Sequence, residues 1–251
     1  MQPVSVVIIS KNEASVIAGC LASVAGLADE VVVLDSGSTD STREICSGCG
    51  ARVIETDWPG FGAQKNRAVQ AARNEWVLCL DADERVSPAL AISIRAALSN
   101  PAFSAYRFAR SNRFLGRYLR YGEGYPDWSL RLFDRRTAEW SADVVHEQVI
   151  STRPVGELGG DLLHDSAESL ESYLNKQNRY TSLAAEAALA SGRKVSAVRM
   201  VCSPLIRFLK FYVFRAGFRD GVPGLVHIAI GCFNSFIKYA KMREARNRKP
   251  Q

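Results

Sequence analysis

The sequence predicts an α/β fold: a doubly wound, mostly parallel sheet with a helical, basic and amphipathic C-terminal extension. Three observations predict it. Apolar runs such as Val4–Ile9 and Glu30–Leu34 lack the two-residue alternation of a half-exposed strand, so they read as strands buried on both faces. Each run stops at a cluster of polar residues, and a stretch with helical spacing follows. After residue 190 the composition turns basic and apolar, with no repeat or low-complexity signal.

The elements follow in order. Val4–Ile9 ends at Ser10-Lys11-Asn12-Glu13, and residues 12–25 then place Val16, Cys20, Leu21 and Val24 on one helical side. Glu30–Leu34 runs into Asp35-Ser36-Gly37-Ser38-Thr39-Asp40, where Ser38 or Thr39 can cap a helix over Ser41–Gly48. Arg52–Glu55 is a short third strand, and Gly60 and Gly62 open a helix within Gly60–Arg73. Trp76–Leu80 is a fourth strand ending at Asp81-Ala82-Asp83-Glu84, and Pro88 sits in the first turn of a helix reaching Leu98. Beyond Pro101, short aromatic-rich segments at 105–110, 118–122, 129–133 and 144–150 predict mixed or antiparallel strands closing one side of the sheet. Residues 168–189 read as a long helix.

The 251 residues are 47% hydrophobic, enough for a full core, which excludes disordered, collagen-like and disulfide-scaffold classes. Six cysteines with one C-x-x-C pair, Cys46 and Cys49, give no zinc spacing and suit a reducing cytosol. Met1-Gln2-Pro3-Val4 has no basic n-region, so no secretory signal is expected. The net charge of +6 is unevenly spread: residues 191–251 hold 13 of the 32 Lys/Arg and two of the 26 Asp/Glu, a balance of +11 against −5 for the rest. Such a tail suits contact with phosphate, on an anionic membrane, a nucleic acid or a phosphorylated partner.

In a doubly wound sheet, ligands bind outside the carboxyl ends of the strands. Four strands here end in polar residues: Ser10 to Glu13, Asp35, Asp57, and the Asp81/Asp83 pair. Any one of these also suits a helix cap or turn; together they point to a site. Asp81-Ala82-Asp83 is the sharpest pattern, because two carboxylates at that spacing can present oxygens to a hard divalent ion, Mg²⁺ or Mn²⁺, shared with substrate phosphates.

The blocks VSVVIISKNE, VVVLDSGSTDST, GAQKNRA and WVLCLDADE, in this order over residues 4 to about 100, resemble glycosyltransferase family 2. The resemblance implies an inverting, nucleotide-sugar-dependent enzyme with a GT-A fold. The later pieces LRLFDR (130–135), VHE (145–147) and LHDS (163–166), with the basic tail, are similar to the small bacterial enzymes that glucosylate the inner-core heptose of lipopolysaccharide. The implied domains are a nucleotide-sugar half at 1–100, an acceptor-side half at 101–166, and a membrane-associating helical extension at 167–251. Ser10, Lys11, Asn12 and Glu13 would touch the nucleotide. Asp35 would accept a hydrogen bond from the base, uracil for a UDP-sugar, although Ser36 stands where many relatives have a second acid. Lys65, where many relatives carry Arg, would sit by the diphosphate or base. Asp81 would lie at the ribose or metal, and Asp83 on the metal.

The implied mechanism needs a carboxylate or imidazole base for the acceptor hydroxyl, and its transition state is oxocarbenium-like. Glu147 is the first candidate, His146 the second and Asp127 the third; His146 and Glu147 also suit a structural hydrogen-bonded pair. His164 is a candidate third metal or diphosphate ligand, or a capped loop histidine, and His227 in its apolar setting suits a core or interface. Arg131 could reach phosphate or pair with an acid.

In the tail, a helical wheel over Leu205–Phe218 puts Leu205, Ile206, Leu209, Tyr212, Val213 and Ala216 on a face that could pack on the body. Phe residues and Arg/Lys share the other face, which suits an anionic bilayer or the completion of a core. Gly221–Ile237 is uncharged for 17 residues, but its Gly and Pro residues argue for a re-entrant or surface-lying segment. The Lys241–Lys249 run suits lipid phosphate. The expected partners are thus a UDP-sugar, a lipid-linked saccharide acceptor and an anionic membrane surface, with the protein peripheral on the cytoplasmic face of the inner membrane. A family 2 enzyme with another acceptor, such as polyprenyl phosphate, another envelope glycan or a protein, is the alternative. A nucleic-acid-binding protein lacks any evident stacking platform or recognition helix.

Overall fold

The structure is a computed structural model and describes residues 1–141, 143, 147–165, 169–192 and 196–248. The chain forms two compact units, Met1–Ser111 with Asp127–Asp165, and Asn112–Pro126 with Ser166–Gln251.

In the first unit the strands are β1 (Val4–Ser10), β2 (Glu30–Asp35), β3 (Arg52–Glu55), β4 (Trp76–Asp81), β5 (Glu84–Val86), β6 (Ala105–Phe114), β8 (Asp127–Asp134), β9 (Ala138–Trp140), β10 (Val149–Ser151) and β11 (Val155–His164); the two-residue β7 (Arg117–Tyr118) pairs with the end of β6. The sheet order is β3-β2-β1-β4-β8-β6-β11-β5. The first four strands are mutually parallel, whereas β8 runs antiparallel to β4 and β6, and β11 to β5. This is an α/β architecture, as expected, with a mixed sheet that is parallel over β1 to β4. Helices α1 (Ile17–Val24), α2 (Thr42–Gly48) and α4 (Pro88–Ser99) bury apolar residues with Val4, Val6 and Ile8 of β1, while α3 (Phe61–Ala71) packs with Val7 and Ile9 on the other face. All seven β1 residues are buried, as expected for a strand covered on both sides.

Two local devices shape the rim. The helix α3 begins after Gly60 at φ 110°, and Gly62 admits the chain at Ser141: a β-carbon there would stand 2.3 Å from the Ser141 carbonyl oxygen. Asn66 then clasps the Trp140 backbone from both sides, donating to its carbonyl and accepting from its N–H at 2.9 Å each.

In the second unit, α7 (Gly221–Arg248) packs against both α5 (Leu170–Ala190) and α6 (Ala197–Phe208), and Ala185 and Ala188 of α5 form a buried cluster with Met242 of α7. Three expectations are corrected here. The helix expected over Leu205–Phe218 is not one helix: α6 ends at Phe208, a π-helical turn spans Leu209–Phe214, and Ala216 takes a left-handed φ of 52°. Its aliphatic face is not packed away: Leu205 and Ile206 are 61% and 64% exposed, because Arg207 is the residue turned inward, to ion-pair with Glu123. Gly221–Ile237 was expected to be re-entrant or surface-lying, and its helical state leaves the surface-lying alternative standing. It belongs to one continuous helix, with Pro223 in the first turn, where its missing N–H costs no helical bond. Among the described residues, 217–246 is the one helical stretch long and apolar enough to cross a membrane by length and composition. Its middle, however, carries Gly231 against the Arg207–Glu123 pair. Lys241, expected to meet lipid phosphate, is spent within the unit: its ammonium lies 2.7–2.8 Å from oxygens of Asn178, Thr181 and Ser182 on α5.

Candidate active site

The parallel register builds the rim. Ser10 pairs with Asp35 across β1 and β2, and Ile9 with Asp81 across β1 and β4, so three strand ends deliver polar residues side by side. The antiparallel pairing of β5 with β11 sets His164 opposite Glu84, which brings the imidazole to the Asp81–Glu84 turn.

Asp81 lies between two cations. Its Oδ1 is 3.0 Å from Lys65 Nζ and its Oδ2 2.8 Å from Arg131 Nη2. Burial pushes the Asp81 carboxyl up, but Arg131 and Lys65 outweigh it and hold the group well below the ordinary carboxylate range. The support beneath is a buried charge network. Glu84, with no exposed surface, accepts from the Asp81 N–H at 3.0 Å and from Arg131 at 3.0 Å, and Arg110 approaches it at 3.4 Å. Arg131 is buried too; desolvation alone would lower its pKa, yet Glu84 and Asp81 raise it. Its Nη1 is buried without a hydrogen-bond partner. The Trp140 ring, positioned by Asn66, faces both cations, with Lys65 Nζ at 4.4 Å and the Arg131 guanidinium carbon at 5.2 Å from its centre.

Lys65 also reaches Glu147, with Nζ 3.2 Å from Oε1. One ammonium thus touches the first candidate base and the Asp81 carboxylate. His146 lies outside the described residues. Asp127, the third candidate, is committed to Arg110 at 2.8 Å.

Asp83 turns to the other side. Its Oδ2 is 3.1 Å from His164 Nε2, and its carbonyl accepts from the Asp165 N–H at 2.9 Å while Asp165 ion-pairs with Arg85. The sequence read Asp81 as a possible metal ligand beside Asp83. Asp81 has both oxygens in ion pairs, and Asp83 stands with the imidazole. Among the described residues no group of three or more His, Cys, Asp or Glu side chains gathers to hold a metal. A carboxylate and an imidazole at hydrogen-bond distance, both partly exposed, nevertheless fit two positions of a divalent ion whose remaining positions a diphosphate and water would fill.

The Ser10–Glu13 and Asp35–Asp40 loops are stitched together. Asp35 is fully buried and accepts from Ser10 Oγ at 2.9 Å, from the Gly37 and Ser38 N–H groups at 3.1 and 2.7 Å, and from Ser38 Oγ. It is a clamp on the loop, with no exposed face for a base. Asn12, left-handed at φ 58°, donates its N–H to Ser38 Oγ and accepts from the Thr39 N–H, each at 2.8 Å. Ser38 and Thr39, expected as helix caps, serve this junction instead. Lys11 is exposed on the rim. Glu13 is half-buried, and burial followed by Asp83, Asp40 and Asp81 pushes its carboxyl up. Asp57 is outside the site, exposed and paired with Arg67 at 2.6 Å. A cleft of about 540 Å³ opens at the opposite end of β4, by Trp76, Phe103 and Arg153, away from these groups.

Sequence reasoning missed Glu84 and Trp140. Glu84 had a signal, an acid directly after Asp81-Ala82-Asp83; Trp140 had none.

The sequence model described as Glycosyl transferase family 2 matches residues 5–153. An uncharacterized glycosyltransferase of Rickettsia typhi is 32% identical over 97% of this chain and 88% of its own. The lipopolysaccharide core biosynthesis glycosyltransferase LpsC of Rhizobium meliloti is 28% identical over 96% and 92%. A crystal structure of glucosyl-3-phosphoglycerate synthase from Mycobacterium tuberculosis, in complex with Mn²⁺, UDP and glucosyl-3-phosphoglycerate, is 27% identical over 45% of this chain and 44% of that one, with a TM-score of 0.38. The chain belongs to glycosyl transferase family 2 and is a glycosyltransferase.

Proposed function

We propose that the enzyme is an inverting hexosyltransferase that moves glucose from UDP-glucose to a lipid-linked saccharide of the lipopolysaccharide core, on the cytoplasmic face of the inner membrane. The observation that carries the chemistry is Lys65, whose ammonium joins Asp81 to Glu147. It sets a donor-anchoring carboxylate and a base on either side of one positive charge. The acceptor hydroxyl oxygen bonds to the anomeric carbon while the bond from that carbon to the diphosphate breaks on the opposite face. Glu147 takes the hydroxyl proton. Lys65 faces the charge growing on the departing UDP, and Arg131 holds Asp81 beside it. Asp81, fixed by Arg131 and Glu84, accepts from the ribose. Asp35 and Asn12 hold the two loops that receive the nucleotide. Asp83 and His164 would hold Mn²⁺ or Mg²⁺, which supplies charge neutralisation at the diphosphate when bound.

The name of the Rhizobium relative supports the acceptor class. Six free thiols suit a reducing cytoplasm. The test is a donor screen with Mn²⁺ or Mg²⁺, read as nucleoside diphosphate release with and without lipid-linked core acceptor. The expected result is acceptor-stimulated UDP release from UDP-glucose and a β-linked product. Release from no nucleotide sugar, or a product with retained configuration, overturns the reading.

A further inference from the structure

The C-terminal unit has a corner built from two segments far apart in sequence. The buried Asp220 accepts from the Arg120 and Tyr121 N–H groups at 3.0 and 2.8 Å, and Arg117 donates to the Arg219 carbonyl at 3.0 Å. The Gly122 N–H donates to the Arg215 carbonyl at 3.0 Å, and Arg215 returns a bond to the Tyr125 carbonyl. Gly217 allows the crossing, since a β-carbon there would lie 2.3 Å from Ile228 and 2.7 Å from the Phe211 carbonyl oxygen. The turn over 209–222 is therefore rigid, yet it shows apolar side chains outward. Phe214 is 83% exposed, Val222 70% and Phe218 53%, with Leu115 at the hairpin tip 49% exposed and left-handed at φ 46°.

The exposed charged residues of 112–126 and 209–222 are basic. Arg113, Arg117, Arg120, Lys210, Arg215 and Arg219 are exposed. The acids of these segments are withdrawn: Asp220 is buried and Glu123 is paired with Arg207. Outward aromatic residues on a fixed turn, set among exposed basic side chains of the same two segments, complement a surface with a negative headgroup layer over an apolar interior.

We propose that this corner, and not the basic C-terminal run, seats the enzyme on an anionic phospholipid bilayer, with Phe214 and Phe218 entering the headgroup–acyl boundary and the arginines meeting phosphates. The proposal rests on the reading of a lipid-linked acceptor but is tested apart from it. The full chain is sedimented with vesicles of three parts phosphatidylcholine to one of phosphatidylglycerol, and with phosphatidylcholine alone, across a salt series. The wild type binds the anionic vesicles more tightly and keeps residual binding at high salt. The F214S/F218S double variant, which loses two exposed side chains and should keep the wild-type Tm, binds about a hundredfold more weakly, roughly tenfold for each Phe. L115S, on the other segment, weakens binding by a smaller factor. Wild-type binding by the double variant, equal binding to both vesicle types, or a dimer in solution that the double variant dissolves while vesicle binding stays unchanged, each overturns the proposal. Tight vesicle binding without transfer to a lipid-linked acceptor leaves the seat standing and removes the functional reading instead.

Discussion

Lys65 and Glu147, 82 residues apart in sequence, meet at 3.2 Å, and the same ammonium is 3.0 Å from Asp81. The helix α3 buries Lys65 and sets its ammonium 4.4 Å from the centre of the Trp140 ring. Glu147→Gln keeps the shape and removes the proposed base. Transfer should fall by about a hundredfold or more while UDP binding, read by calorimetry, persists. Lys65→Met should weaken UDP binding by roughly tenfold or more and slow transfer as well. Normal transfer in Glu147→Gln would move the base elsewhere.

Asp83 and His164 form a pair that Asp81 does not join. Asp83→Ala and His164→Ala should each weaken Mn²⁺ binding in the presence of UDP, measured by electron paramagnetic resonance, without changing the Tm by more than a degree or two. Asp81→Asn should leave Mn²⁺ binding closer to wild type than either. If Asp81→Asn loses the ion and His164→Ala keeps it, the division between the two carboxylates is reversed.

Acid stability follows from Asp81. Its carboxyl is held below the ordinary range, so the ionised group contributes stability that is full above a pH of about 4 and is lost as pH falls through the depressed folded value. Arg131→Met removes the leading counter-charge. The acid-unfolding midpoint, followed by circular dichroism, should therefore move up by about one pH unit. An unmoved midpoint would show that Lys65 alone sets the Asp81 charge.

Gly62→Ala drives a β-carbon into the Ser141 carbonyl oxygen. The cost should be about 1–3 kcal/mol, a Tm drop on the order of 5 °C, with transfer reduced further because α3 carries Lys65. Gly48→Ala, where nothing stands within 4 Å of the added carbon, is the control and should cost little.

The parallel half was legible because its signals are local. The runs in β1, β2 and β4 are apolar throughout and stop at polar residues, and the register then brings Ser10, Asp35 and Asp81 together without further information. What could not be read depends on distant partners. Glu84 looks like one more acid in a turn until Arg131 and Arg110 arrive from β8 and β6. Asp35 looks like an open acceptor until Ser38 folds back on it. The helical wheel over Leu205–Phe218 assumed one periodicity, and a π-helical turn changes the phase at Leu209. The inward turn of Arg207 depends on Glu123, and no pattern within the tail contains that residue.

The acids at 81 and 84 leave the ribosome well before the arginines at 110 and 131 that neutralise them. The exposed edge of β4 likewise waits for β8, and Asp83 waits for His164 at the end of β11. A nascent chain that stops after α4 therefore holds a hydrophobic parallel sheet with an open edge and two acids whose desolvation nothing yet compensates. Synthesis order alone makes closure of this sheet a late event. A gene split between α4 and β6 would yield two pieces that need each other before either contains a site.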